Sequence, residues 1–147
     1  MQKSHLIVSA LFLLTAFNCS KSKQDGCAGS ATTFQLNEPF ILCWGSTASQ
    51  AGQPDFTIKF EDLVEESRCP TDVICIQAGR ASVSIVLHKA TEGKSDTLSL
   101  GDYFGTAHSD STTFGTYKIK LLEVLPAPVS TAQTPEEEYK VKLLITN

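Results

Sequence analysis

Apolar residues recur at every second position through most of this chain. In "DFTIKF" Phe56, Ile58 and Phe60 alternate with Thr57 and Lys59. In "RASVSIVLHK" Ala81, Val83, Ile85 and Leu87 share one side while Ser82, Ser84 and His88 take the other. "EYKVKLLIT" repeats the pattern through Tyr139, Val141, Leu143 and Ile145. A period of two is that of a strand with one buried face, because successive side chains point to opposite sides of a sheet. "TYKIKLLEVL" runs through Tyr117, Ile119 and Leu121 and then shifts by one at Leu122, which predicts a bulge or a strand buried on both faces. "DTLSL" adds Leu98 and Leu100, and weaker strands are expected at "TTFQL" and "FILCW", joined through Asn37 to Pro39. No stretch after the first thirty residues carries a convincing helical period.

These segments predict an all-β domain. The expected form is an antiparallel sandwich of about seven or eight strands, immunoglobulin-like in outline and disulfide-stapled, with a small β-barrel as the alternative way to bury the same faces. No internal repeat is present. From Cys19 onward 129 residues remain, enough for one self-sufficient core and short for two.

The chain opens on a positive "MQK" and the apolar run "LIVSALFLLTAF", the layout of an export signal over residues 1–18. The run from Leu6 to Phe17 is well short of the roughly 20 residues that cross a bilayer as a helix. "LTAFNC" resembles a bacterial lipoprotein box, in which the cysteine becomes the first mature residue and carries the lipid. That resemblance implies lipidation of Cys19 and attachment to membrane through the N-terminus; cleavage without lipid is the plainer outcome. Ser20 follows where an aspartate is associated with inner-membrane retention, and "KSKQDG" lacks the acidic run associated with surface export. The outer membrane and a periplasmic facing are therefore expected. Residues 19–30, small and polar, read as a lipidated N-terminus and flexible tether, and 31–147 as the domain. Loss of residues 1–18 removes one lysine and no acid, taking the formal charge from −4 to −5. No basic footprint for nucleic acid remains.

With Cys19 on lipid, four cysteines are left in an oxidising compartment, where disulfides are the default. Sequence proximity favours Cys27 with Cys43 and Cys69 with Cys75 among the three connectivities. The segment "ESRCPTDVICIQAG" (66–79) separates its two cysteines by five residues with no helix following, which argues against a thioredoxin-type redox pair. The remaining cysteines and histidines are too scattered for a structural zinc site. Pro70 preforms the turn after Cys69 and Gly79 releases the chain into the next strand, so the segment reads as a stapled connection. The neighbouring "EDLVEES" offers four acids that could bind a cation, against the plainer reading of a solvated acidic edge. Trp44, beside Cys43, is expected to pack on a disulfide.

The run "IKFEDLVEESRCPTDVICIQAGRASVSIVL" resembles a segment of small bacterial lipoproteins of Bacteroidetes type that reads approximately DSRCP, a few residues, C, W, A, G. The paired Cys69 and Cys75 and Gly79 match it. Glu66 stands where that pattern has aspartate, Gln77 where it has tryptophan and Arg80 where it often has asparagine. The resemblance implies an exported, anchored domain and no particular reaction.

"GDYFGTAHSDSTTFG" gathers Asp102, His108 and Asp110 in one glycine-rich stretch, which reads as a mobile polar connection because catalytic groups are ordinarily assembled from separate segments. "PAPVSTAQTPEE" is long for a hairpin loop and stiffened by Pro126, Pro128 and Pro135, giving a projecting loop that could meet a partner. No cofactor is implied. The expectation is a non-catalytic module, not an enzyme, that meets an envelope protein, a glycan or a small ligand. The alternative is an enzyme or metal-binding periplasmic protein that uses the acidic strand end and the 101–115 loop.

Overall fold

In the computed structural model, residues 30–101 and 108–147 are described. They form nine strands: β1 (Thr33–Phe34), β2 (Phe40–Cys43), β3 (Thr47–Gln50), β4 (Gln53–Glu66), β5 (Arg80–Lys89), β6 (Glu92–Gly101), β7 (Ser111–Phe114), β8 (Tyr117–Leu125) and β9 (Lys140–Thr146). The remaining element is a short 3-10 turn, Glu136–Glu138. One sheet runs β1-β3-β4-β5-β6 and the other β2-β9-β8-β7, so the architecture is a two-sheet sandwich and not a closed barrel. Every pairing is antiparallel except the short β1–β3 contact, which is parallel.

Nine strands exceed the seven or eight expected because two of them carry almost no apolar signal. β3, "TASQ", buries only Ala48, and β7, "STTF", buries only Phe114. The stretch expected to be a mobile polar connection is therefore a strand from Ser111 onward, paired to β8 from Ser111 opposite Lys120 to Phe114 opposite Tyr117. A four-residue strand with one inward side chain is held by its ladder hydrogen bonds and its neighbours, which a periodicity argument cannot register.

The inward faces are those the alternation marks. Ala81, Val83, Ile85 and Leu87 on β5, and Val141, Leu143 and Ile145 on β9, are fully buried. In β8 the pairing with β9 shifts between Leu121 and Glu123, so Leu122 is the bulged residue and Val124 returns to the core. Ser82, expected on the outer face, is buried together with Ser99 on β6. Their hydroxyls lie 2.8 Å apart and satisfy one another, so burial there leaves no unpaired hydroxyl.

Consecutive strands β1 and β2 belong to different sheets, and the chain crosses between them through Asn37, whose positive φ of 66° suits a residue tolerant of the left-handed region. Along the opposite flank the sheets are laced by polar groups: Lys94 Nζ donates to Thr112 Oγ1 at 2.6 Å and Thr113 O at 3.0 Å, and Ser99 N donates to Ser109 O at 2.9 Å.

Phe56 occupies the aromatic centre of the core. Its ring lies 5.5 Å from that of Phe34, 6.2 Å from Phe114 and 4.5 Å from Tyr117, drawing on β1, β4, β7 and β8 at once. Such offset and edge-on pairs add to the burial itself. Phe56→Ala is expected to lower unfolding stability by about 3–5 kcal/mol, read from denaturant midpoints. Ile74→Ala, at a fully exposed position, is expected to stay within about 0.5 kcal/mol of the parent chain.

Candidate interaction surface

The stapled connection begins where β4 and β5 run out of ladder. Beyond Glu66 and Arg80 the two segments continue to pair through Ser67 N to Arg80 O and Cys69 N to Ala78 O, both 2.8 Å. Cys69 and Cys75, six positions apart with Cα atoms 5.9 Å from one another, form a disulfide across the top of this extension. On the chain-entropy account, closing so short a loop contributes roughly 2 kcal/mol. Gly79 makes the extension feasible: its φ is +66°, and a Cβ there would lie 1.8 Å from the Ser67 carbonyl oxygen.

Arg68 then ties this loop to the other sheet. Its guanidinium forks onto the Glu66 carboxylate, with Nε 2.8 and 3.1 Å from the two oxygens and Nη2 also in contact. It also donates to Val124 O at 2.6 Å and Pro126 O at 2.9 Å, where β8 ends. A planar, permanently charged donor array suits such a four-point contact, and a lysine could not reproduce it. Thr71 N donates to Pro128 O at 3.0 Å, and Asp72 accepts from Ser130 N at 2.8 Å and from the Ser130 hydroxyl. The proline-rich loop expected to project by itself is thus bound along the stapled loop; Pro126 and Pro128 are partly covered and Pro135 is exposed.

Charge at this end is held in pairs. Asp72 titrates below the usual aspartate range because the Ser130 hydroxyl and amide stabilise the anion. Glu65 is also lowered, first by Arg80, whose Nε is 2.6 Å away, then by Ser67 and the nearby His108, against a smaller opposing effect of burial. Tyr139 is raised by burial and by the negative Glu66.

Apolar side chains project from this clamped backbone. Ile74 and Ile76 are fully exposed, at 102% and 105%, with Val73 at 45% and Val129 at 41%. Isolated exposed aliphatics are ordinary on a protein surface; here Val73, Ile74 and Ile76 lie together on the stapled loop, with Val129 on the loop bound beside it.

Cys19 and Cys27 lie outside the described residues, as do Asp102 and most of the 19–30 tether. Cys43 is buried and disulfide-bonded. Trp44 is 37% exposed, with its indole N–H directed at Asp62 Oδ1, 3.4 Å away. The four acids of "EDLVEES" have partners: Glu61 near Lys59, Asp62 near Trp44, Glu65 on Arg80 and Glu66 on Arg68. The structure does bring His108 into electrostatic reach of the acidic strand end, at Glu65, while Asp110 pairs with Lys120 at 3.4 Å. Among the described residues no group of three histidine, cysteine or acidic side chains could hold a metal ion. Sequence reasoning missed Arg68 and the "VICI" aliphatics. The signal available was a four-residue run of apolar character, Val73 to Ile76, inside a segment already read as a connection.

Gly79→Ala is expected to destabilise the chain by more than about 2 kcal/mol, through both the steric overlap and the strained φ, measured by chemical denaturation. Because the Asp72 carboxyl is depressed in the folded chain, its contribution is complete above the ordinary aspartate pKa of about 4 and drains away as the pH falls through the lowered value. The protection of the Ser130 amide from hydrogen exchange, taken relative to the intrinsic rate at each pH, should therefore fall on acidification below about pH 4, and Asp72→Asn should flatten that dependence. Matched against known protein families, curated proteins and solved structures, the chain finds no counterpart.

Proposed function

We propose that this chain is a lipid-anchored protein of the bacterial cell envelope, acting as a non-catalytic interaction module. The lipid sits on Cys19 after removal of residues 1–18, and residues 19–30 tether the domain to the periplasmic face of the outer membrane. The support for anchoring is the box-like "LTAFNC" together with the resemblance of the 58–87 segment to Bacteroidetes-type lipoproteins. The observation that carries the interaction reading is the exposure of Ile74 and Ile76 on a loop immobilised by a disulfide, an arginine clamp and a second loop. Order spent on a loop whose apolar side chains reach water has its use in recognition, since a contact surface already immobilised loses little freedom on binding. The site's charges are engaged, Glu66 with Arg68, Glu65 with Arg80 and Asp72 with Ser130.

The test is on the exported protein. Its mass should begin at Cys19 with a diacylglyceryl addition, and it should fractionate with outer membranes. Cys19→Ser should release it to the soluble fraction. An unmodified cysteine, or membrane retention that ignores the substitution, would remove the anchoring half of the reading.

A further inference from the structure

We infer that the stapled loop is a bilayer-contacting tip, with Ile74 and Ile76, flanked by Val73, entering the interfacial layer of the membrane to which the chain is tethered. The inference deepens the proposed function and rests on its anchoring half. Three observations carry it.

The first is direction. Ser30 Oγ accepts from Cys43 N at 3.2 Å, at the end of β2. Cys43 is opposite Lys140 on β9, and Lys140 is opposite Leu125 at the end of β8. Leu125 is followed by Pro126, whose carbonyl takes the Arg68 hydrogen bond. Ser30 therefore lies at the same end of the sandwich as the stapled loop. From there the chain runs away from that end, until Phe34 meets Gln50 beside Gln53 at the opposite end of β4. Eleven residue steps separate Cys19 from Ser30, a reach of at most about 40 Å. The stapled loop doubles back on itself and extends no more than about 20 Å past the strand ends. A lipid on Cys19 and the loop tip can therefore occupy one membrane surface together.

The second is composition. Residues 70–78 carry a single charge, Asp72, which is engaged with Ser130, and residues 127–134 carry none. A low-charge patch with fully exposed isoleucines at its crest matches the chemistry of interfacial insertion, where apolar area leaves water. Trp44, the sole tryptophan, is also part-exposed at this end, which its backbone N–H marks by donating to Tyr139 O. Tryptophan is enriched at the headgroup level of membranes.

The third is charge around the rim. Glu136, Glu137 and Glu138 form the 3-10 turn leading into Tyr139 at the same end, with no basic residue in that turn. The surface that fits is a zwitterionic one, and anionic lipid should weaken the contact.

The experiment uses the full exported chain in a Trp44→Phe background, with Ile74→Trp as the reporter and Thr91→Trp, in the turn between β5 and β6 at the far end, as the control. In vesicles of phosphatidylcholine and phosphatidylethanolamine, the Ile74→Trp emission should shift to the blue and be quenched by lipid brominated near the headgroup, while Thr91→Trp should be unaffected. In the Cys19→Ser chain, Ile74→Asp with Ile76→Asp should reduce partitioning into these vesicles about tenfold or more, and added phosphatidylglycerol should reduce it for the unsubstituted tip. If Ile74→Trp stays water-exposed while the lipidated chain is membrane-bound, tip insertion is overturned and the anchoring reading survives. Crosslinking of position 74 to an envelope protein, combined with that unquenched signal, overturns it in favour of a protein partner. Quenching at position 74 in a chain found without lipid on Cys19 would sustain the tip and remove the anchor.

Discussion

One guanidinium joins the two sheets at the end of the sandwich that distinguishes this protein. Arg68 leaves β4 on a loop of the five-stranded sheet and spends its N–H groups on Glu66 and on two carbonyls where β8 of the four-stranded sheet ends. The core alone would leave the connections above it to find their own conformations. The arginine instead sets the height at which the proline-rich loop passes, and the Thr71 and Asp72 contacts to Pro128 and Ser130 follow from that placement. Both members of the Arg68–Glu66 pair are largely covered, so the pair is less screened than a surface ion pair, and removing one partner would strand a charge.

The disulfide and the arginine do different work. Cys69 and Cys75 limit the loop's own conformations, while Arg68 orients the limited loop against the rest of the molecule. Gly79 completes the set by letting the backbone pass within contact of Ser67, an approach any side chain would block. These constraints act on backbone atoms and on the side chains of Cys69, Cys75, Arg68 and Glu66, leaving the side chains of Val73, Ile74 and Ile76 outside the network that holds the loop. Rigidity and display are thereby separated within a single loop.

Much of the sandwich was legible in the sequence. Where a strand buries one face along its length, as β5 and β9 do, alternation named the inward residues correctly, and the slip at Leu122 foretold the bulge in β8. The strands β3 and β7 were illegible because each presents one inward side chain, and a period needs at least two. Ser82 misled because a serine on the polar phase reads as outward, whereas a second serine across the ladder lets it be buried at little cost. The Cys69–Cys75 staple was legible from spacing, but the partner of Arg68 was not: Val124 and Pro126 are more than fifty positions away, and main-chain acceptors have no sequence signature. The same holds for the exposure of Ile74 and Ile76, since composition alone would assign them to a core.

The lacing along the flank between β6 and β7 also bears on how copies of this chain meet one another. β6 is the long outer strand of its sheet, and an unprotected strand of that kind invites pairing with a neighbouring copy. Here its exposed half carries Glu92, Lys94 and Asp96, with the lysine and Asp96 turned onto Thr112 of the other sheet, and its far half is bonded at Ser99 to the segment before β7. The edges at β1, β2 and β7 are only two to four residues long. Short or laced borders of this kind leave little free ladder for a second copy to extend, so copies brought close together lack the template for continuous cross-molecular sheets.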